Sequence, residues 1–191
     1  MNARQLEARR TPASTAWLLH GLRSLMLLGA LVAAGSSGCA TMEPMAKAMT
    51  PSSTPVATTR PATVFLAVRG GGEQWRISDK EFQKAVASAL TSSRLFQSLT
   101  PQTSADYRLD VVLGSVRQPL AGGDFTAEVE TIWNLYSLSA RKTVWQEVVT
   151  TSFTATTSDA FNATNRLRIA TEGAARENIQ QGVAKLAEAP L

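Results

Sequence analysis

Phe125-Thr126-Ala127-Glu128-Val129-Glu130-Thr131-Ile132-Trp133-Asn134-Leu135 sets Phe125, Ala127, Val129, Thr131, Trp133 and Leu135 against Thr126, Glu128, Glu130, Ile132 and Asn134. Successive side chains of a strand point to opposite faces, so this period of two specifies a strand with one buried face and one wet face. Ile132 breaks the polar face. An aliphatic group exposed on an open sheet can seed an interface, which makes Ile132 a candidate docking residue.

Two further alternations flank this stretch. Tyr107, Leu109, Val111 and Leu113 alternate with Arg108, Asp110 and Val112, and Thr143 to Thr154 places Trp145, Val149 and Phe153 on one face. Short connections at Pro119–Gly123 and Ser137–Arg141 predict an antiparallel meander of the three. Upstream, the continuous apolar run Thr63-Val64-Phe65-Leu66-Ala67-Val68 reads as a strand inside the sheet. Gly70-Gly71-Gly72 ends it without the spacing of a phosphate-binding loop. Ser78-Asp79-Lys80-Glu81 is a capping box with Ile77 and Phe82 as its hydrophobic staple, and Phe82, Val86, Ala89 and Leu90 continue at helical spacing. A last helix is expected from Ala160 to about Ala187, capped by Ser158 or Asp159. Its small residues Ala170, Gly173, Ala174 and Ala175 would allow close approach to the sheet. The order β-α-β-β-β-α predicts an α+β domain over 63–191: a two-layer sandwich with a mainly antiparallel four-stranded sheet and two helices on one face.

The N-terminal region is of a different kind. Basic residues Arg4, Arg9, Arg10 and Arg23 precede a short apolar stretch that closes at Gly38-Cys39, and Cys39 is the single cysteine. This layout resembles a bacterial lipoprotein signal peptide with its lipobox, although Ser36 stands where an aliphatic residue is usual. The resemblance implies a signal over 1–38, cleavage before Cys39 and acylation of that residue, as in palmitoylated envelope lipoproteins. Ordinary cleavage nearby with a free thiol, or an uncleaved anchor, are the other readings. Ala40 after the cysteine, in place of the Asp associated with inner-membrane retention, implies the outer membrane and its periplasmic face. Residues 39–62, rich in Ala, Thr, Ser and Pro, are expected to be a disordered tether.

Processing would change the chemistry available. It would remove four arginines and one glutamate, lowering the formal charge from +4 to about +1, so a nucleic-acid partner loses its main support. It would also remove His20, the only histidine. Ser-His-Asp and Cys-His catalysis and His/Cys metal sites are then excluded, and no cofactor is expected. Glu128 and Glu130 share a strand face and are the one carboxylate pair open to a catalytic reading, although their alternation explains them as solvent-facing.

Taken together, the helix leading to Ser93-Arg94-Leu95-Phe96, then Ala105-Asp106-Tyr107-Arg108-Leu109, a strand ending Trp133-Asn134-Leu135 and a long last helix resemble small Gram-negative envelope lipoproteins. The auxiliary lipoprotein component of ABC-type intermembrane transport systems is the nearest comparison. The resemblance implies a membrane-anchored, non-enzymatic accessory of lipid transport or outer-membrane assembly with an envelope protein as partner. A carboxylate-dependent enzyme and a small lipid-binding carrier are the alternatives. In the last helix, Arg166, Arg168, Glu172 and Arg176 read either as a partner-facing surface or as a Glu172–Arg176 ion pair with solvated neighbours.

Overall fold

The computed structural model describes residues 45–52, 56, 58–72, 76–119 and 122–190. Five strands form one mixed sheet in the order β2-β1-β3-β4-β5: β1 (Arg60–Arg69), β2 (Phe96–Leu99), β3 (Tyr107–Arg117), β4 (Phe125–Ser137) and β5 (Lys142–Ala155). The helices are α1 (Met45–Met49), α2 (Asp79–Ser93) and α3 (Ala163–Glu188). The α+β class and the antiparallel β3-β4-β5 meander agree with the sequence reading.

The four-stranded, mainly antiparallel sheet and the two-helix count need correction. Phe96-Gln97-Ser98-Leu99 is a fifth strand, parallel to the first half of β1, while β3 runs parallel to its second half. Parallel neighbours need a long crossover, and α2 supplies it between β1 and β2. The step from β2 to β3 is short because β2 ends and β3 begins opposite the same residue, Val64. Four residues are too few to display a period, which is why β2 could not be read from its sequence.

Part of the expected tether is also structured. Met45–Met49 is helical, with Met49 fully buried, and β1 starts at Arg60 rather than Thr63. The apolar Met49 side chain finds the domain core, and Arg176 Nη1 donates to the Ala48 carbonyl at 3.0 Å. The expected signal segment 1–38 and Cys39 lie outside the described residues.

Helix α2 begins as the capping box predicts, with the Glu81 N–H donating to Ser78 Oγ at 3.2 Å and both staple residues buried. The reciprocal arm is redirected: the Glu81 carboxylate accepts from the Ala46 N–H and from Lys84 Nζ. The α3 cap is Asn162, whose side chain accepts from the Thr164 and Asn165 N–H groups. Asp159 instead closes a turn with Thr156. Both α2 and α3 pack on one side of the sheet and touch each other. The odd-numbered residues of β4 are buried beneath them from Phe125 to Ser137. Gly173 lies against Phe153 and Gly182 against Trp133 so closely that a methyl group at either would overlap the ring. Beneath α3, Trp133 Nε1 donates to Thr131 Oγ1, which donates to Asn178 Oδ1, while Asn178 Nδ2 donates to the Val129 and Val149 carbonyls. These buried polar groups thus satisfy one another, as burial demands.

Candidate interaction surface

With both helices on one side, the even-numbered residues of β4 belong to the opposite face, which no described helix covers. Register places Val112 of β3, Ile132 of β4 and Val148 of β5 in one row across three strands. Val112 and Ile132 are half-buried and Val148 is 51% exposed at the outer strand. Ile132 is therefore the centre of an aliphatic row rather than a lone exception. The signal for its neighbours was present in the sequence, but joining Val112 and Val148 to it required the register.

Polar groups border this row. Arg117 and Glu128 form an ion pair on one side, and Arg108 donates two hydrogen bonds to Asp110 Oδ1 on the other. Asn134 lies between Asp110 and Gln146, and its Oδ1 is buried without a hydrogen-bond partner. Glu128 is engaged by Arg117, and Glu130 faces Gly114. The two carboxylates sit on an open sheet surface.

β5 forms the border of the sheet on this side. It is 14 residues long, contains no proline, and carries Lys142 and Glu147 as its charged residues. Long borders with few charges are templates for pairing with another strand. The opposite border, β2, has four residues. Between β2 and β3 the chain is clasped to β1 by Asp106, whose carboxylate accepts from the Thr63 N–H and hydroxyl, each at 2.8 Å. These two donors hold the Asp106 carboxyl below its ordinary pKa, the backbone bond contributing most.

The four α3 residues separate into different roles. Arg166 is buried, donates to the Ala160 and Phe161 carbonyls and lies 5.3 Å from the Phe125 ring centroid, so it fastens the loop before α3. Glu172 pairs with Arg168 at 3.0 Å, which corrects the expected Glu172–Arg176 pair. Both spacings are i,i+4; Arg176 is drawn instead toward Ala48 and the Phe153 ring. Arg168, Glu172 and Arg176 do come together, lining a cavity of about 460 Å³ with Lys47 and Ala48 of α1. A second cavity of about 710 Å³ lies beside it, lined by Met45, Ile77, Arg76 and Arg168 among others. Neither is visible in the sequence, because the composition of 39–62 predicts a tether where α1 forms.

Among the described residues no cluster of three or more His, Cys, Asp or Glu is placed to hold a metal ion. No described helix is long and apolar enough to cross a membrane.

No protein-family model matches the chain, and no curated protein matches it in sequence. Solved structures do share its fold. Protein XCC0632 from Xanthomonas campestris, of family DUF330, superposes with a TM-score of 0.57 at 15% identity, covering 73% of this chain and 93% of the other. Protein CT253 from Chlamydia trachomatis gives a TM-score of 0.51 at 12% identity, covering 68% and 98%. Lipoprotein GNA1162 from Neisseria meningitidis is more distant, with a TM-score of 0.42 at 11% identity over 67% and 99%. At these identities the first two comparisons define a fold class and no more.

Proposed function

We propose that this chain is a non-enzymatic lipoprotein, anchored through Cys39 at the periplasmic face of the outer membrane, that binds an envelope protein through the face of its sheet opposite α2 and α3. The Val112–Ile132–Val148 row carries this reading: an aliphatic strip crossing three strands, rimmed by charge and ending at β5, whose outer side pairs with no described strand. An interface with an apolar centre and a polar rim has this composition. The role is that of an accessory in lipid transport or outer-membrane assembly. Trp133, Leu135, Ile179 and Leu186 fill the space between sheet and helices, so a carried lipid would have to use the cavity beside α1 instead.

A photo-reactive amino acid at Val148, incorporated in cells, tests this. Capture of one defined envelope protein, lost on Ile132→Asp while the purified variant keeps its circular dichroism, supports the reading. Equal capture from Val148 and from a control position at Gln180 on the helical side sinks it.

A further inference from the structure

We infer that the end of the domain built around α1 faces the lipid bilayer and contacts anionic phospholipid headgroups. This rests on the Cys39 anchor proposed above.

The first argument is covalent reach. Five residues separate Cys39 from Met45, the first residue of α1. Fully extended, they span roughly 20 Å, against roughly 80 Å for a free chain running from Cys39 to Thr63. α1 is fixed to the domain by the buried Met49, by the Arg176 bond to Ala48 and by the Ala46 N–H bond to Glu81. The tether that would let the domain stand off is thus mostly consumed.

The second argument is direction. β1 finishes at Arg69, β5 finishes at Ala155, and α2 and α3 both begin at the end of the sheet where α1 sits. The β4–β5 turn at Leu138–Arg141 marks the opposite end, and β4 and β5 have 13 and 14 residues. At about 3.3 Å per residue the two ends are roughly 45 Å apart, more than twice the available reach. An upright domain with the turn toward the bilayer is therefore excluded.

The third argument is charge. Lys47, Arg76, Lys80, Lys84, Arg168 and Arg176 gather around the two cavities and the start of α2. Three carboxylates lie among them: Glu81 accepts from Ala46 and Lys84, Glu172 from Arg168 and Asp79 from the Gly71 N–H, so the six cations exceed these acids by three. Arg76 and Lys80 are exposed. Phe161, in the loop leading to α3 at this same end, is 99% exposed, an aromatic group of the kind that enters a headgroup layer. The exposed Arg76 and Lys80, with an exposed aromatic at the same end, match an anionic bilayer.

Headgroup crosslinking tests this on the full, cell-processed chain, reconstituted in phosphatidylcholine vesicles with or without phosphatidylglycerol. The vesicles contain a trace phospholipid bearing a diazirine headgroup. Peptides spanning 45–52, 76–84 and Phe161 should be labelled several-fold more than the 137–142 turn, and more strongly with phosphatidylglycerol. Reversal at Arg76→Glu and Lys80→Glu should lower that labelling by about fivefold per cation removed. Equal labelling at both ends, with Cys39 acylated, overturns the inference and leaves the anchor standing. Equal labelling with and without phosphatidylglycerol overturns the headgroup contact. An unmodified Cys39 in the same digest overturns the anchor and the reach argument together.

Discussion

Gly182→Ala is a one-carbon change whose sign depends on tertiary packing. In an isolated helix the substitution would stabilise by about 1 kcal/mol, because alanine loses less backbone entropy. Here the new methyl group would overlap the Trp133 ring. That ring is fully buried and its Nε1 is held by Thr131 Oγ1, itself bonded to Asn178, so it cannot swing aside without breaking a buried network. Forcing an extra methyl group into a packed core costs about 1–3 kcal/mol, and a rigid, hydrogen-bonded neighbour places this site at about 3. The net loss is then about 2 kcal/mol. For a unit of this size, about 3–4 °C is lost per kcal/mol, giving a fall of about 6–8 °C in Tm. Differential scanning calorimetry of the purified protein reads it directly, with Gly123→Ala as control, since nothing lies within 4 Å of a methyl group at that position. A Gly182→Ala protein that melts at or above the parent refutes the claim that glycine is there to admit the indole.

Two other perturbations probe the joints of the fold. The Asp106 carboxyl is held below its ordinary pKa by Thr63, so its stabilising bonds are fully present above the unfolded-state value near 4 and are lost as the pH falls through the lower folded value. Acid unfolding followed by tryptophan fluorescence below about pH 4 should therefore be less steep in Asp106→Asn, and an unchanged acid limb would count against the clasp. Arg60 donates to the Leu186, Ala187 and Ala189 carbonyls at the end of α3. Arg60→Ala should cost about 2 kcal/mol in urea unfolding and speed amide exchange in the last turn of α3, whereas exchange that stays at parental rates would show that the cap is dispensable.

The local patterns were legible because their causes are local. The alternation of β4 fixed its two faces, Ser78 fixed the start of α2, and turn lengths fixed the meander. That His20 is the only histidine and Cys39 the only cysteine is also a matter of sequence alone. Tertiary structure decided what depends on partners distant along the chain. Phe96–Leu99 becomes a strand because β1 offers it hydrogen bonds, and Met45–Met49 becomes a helix on the domain because Met49 finds an apolar place in the core. Glu172 could have paired with Arg168 or Arg176 at equal helical spacing; the carbonyl of Ala48, more than a hundred residues away, claims Arg176. Cross-strand register likewise turned Ile132 into the middle of a row. Period and composition report which way a side chain faces. They carry no information on which distant group it meets, and the long-range contacts that settle this form only when the chain is packed.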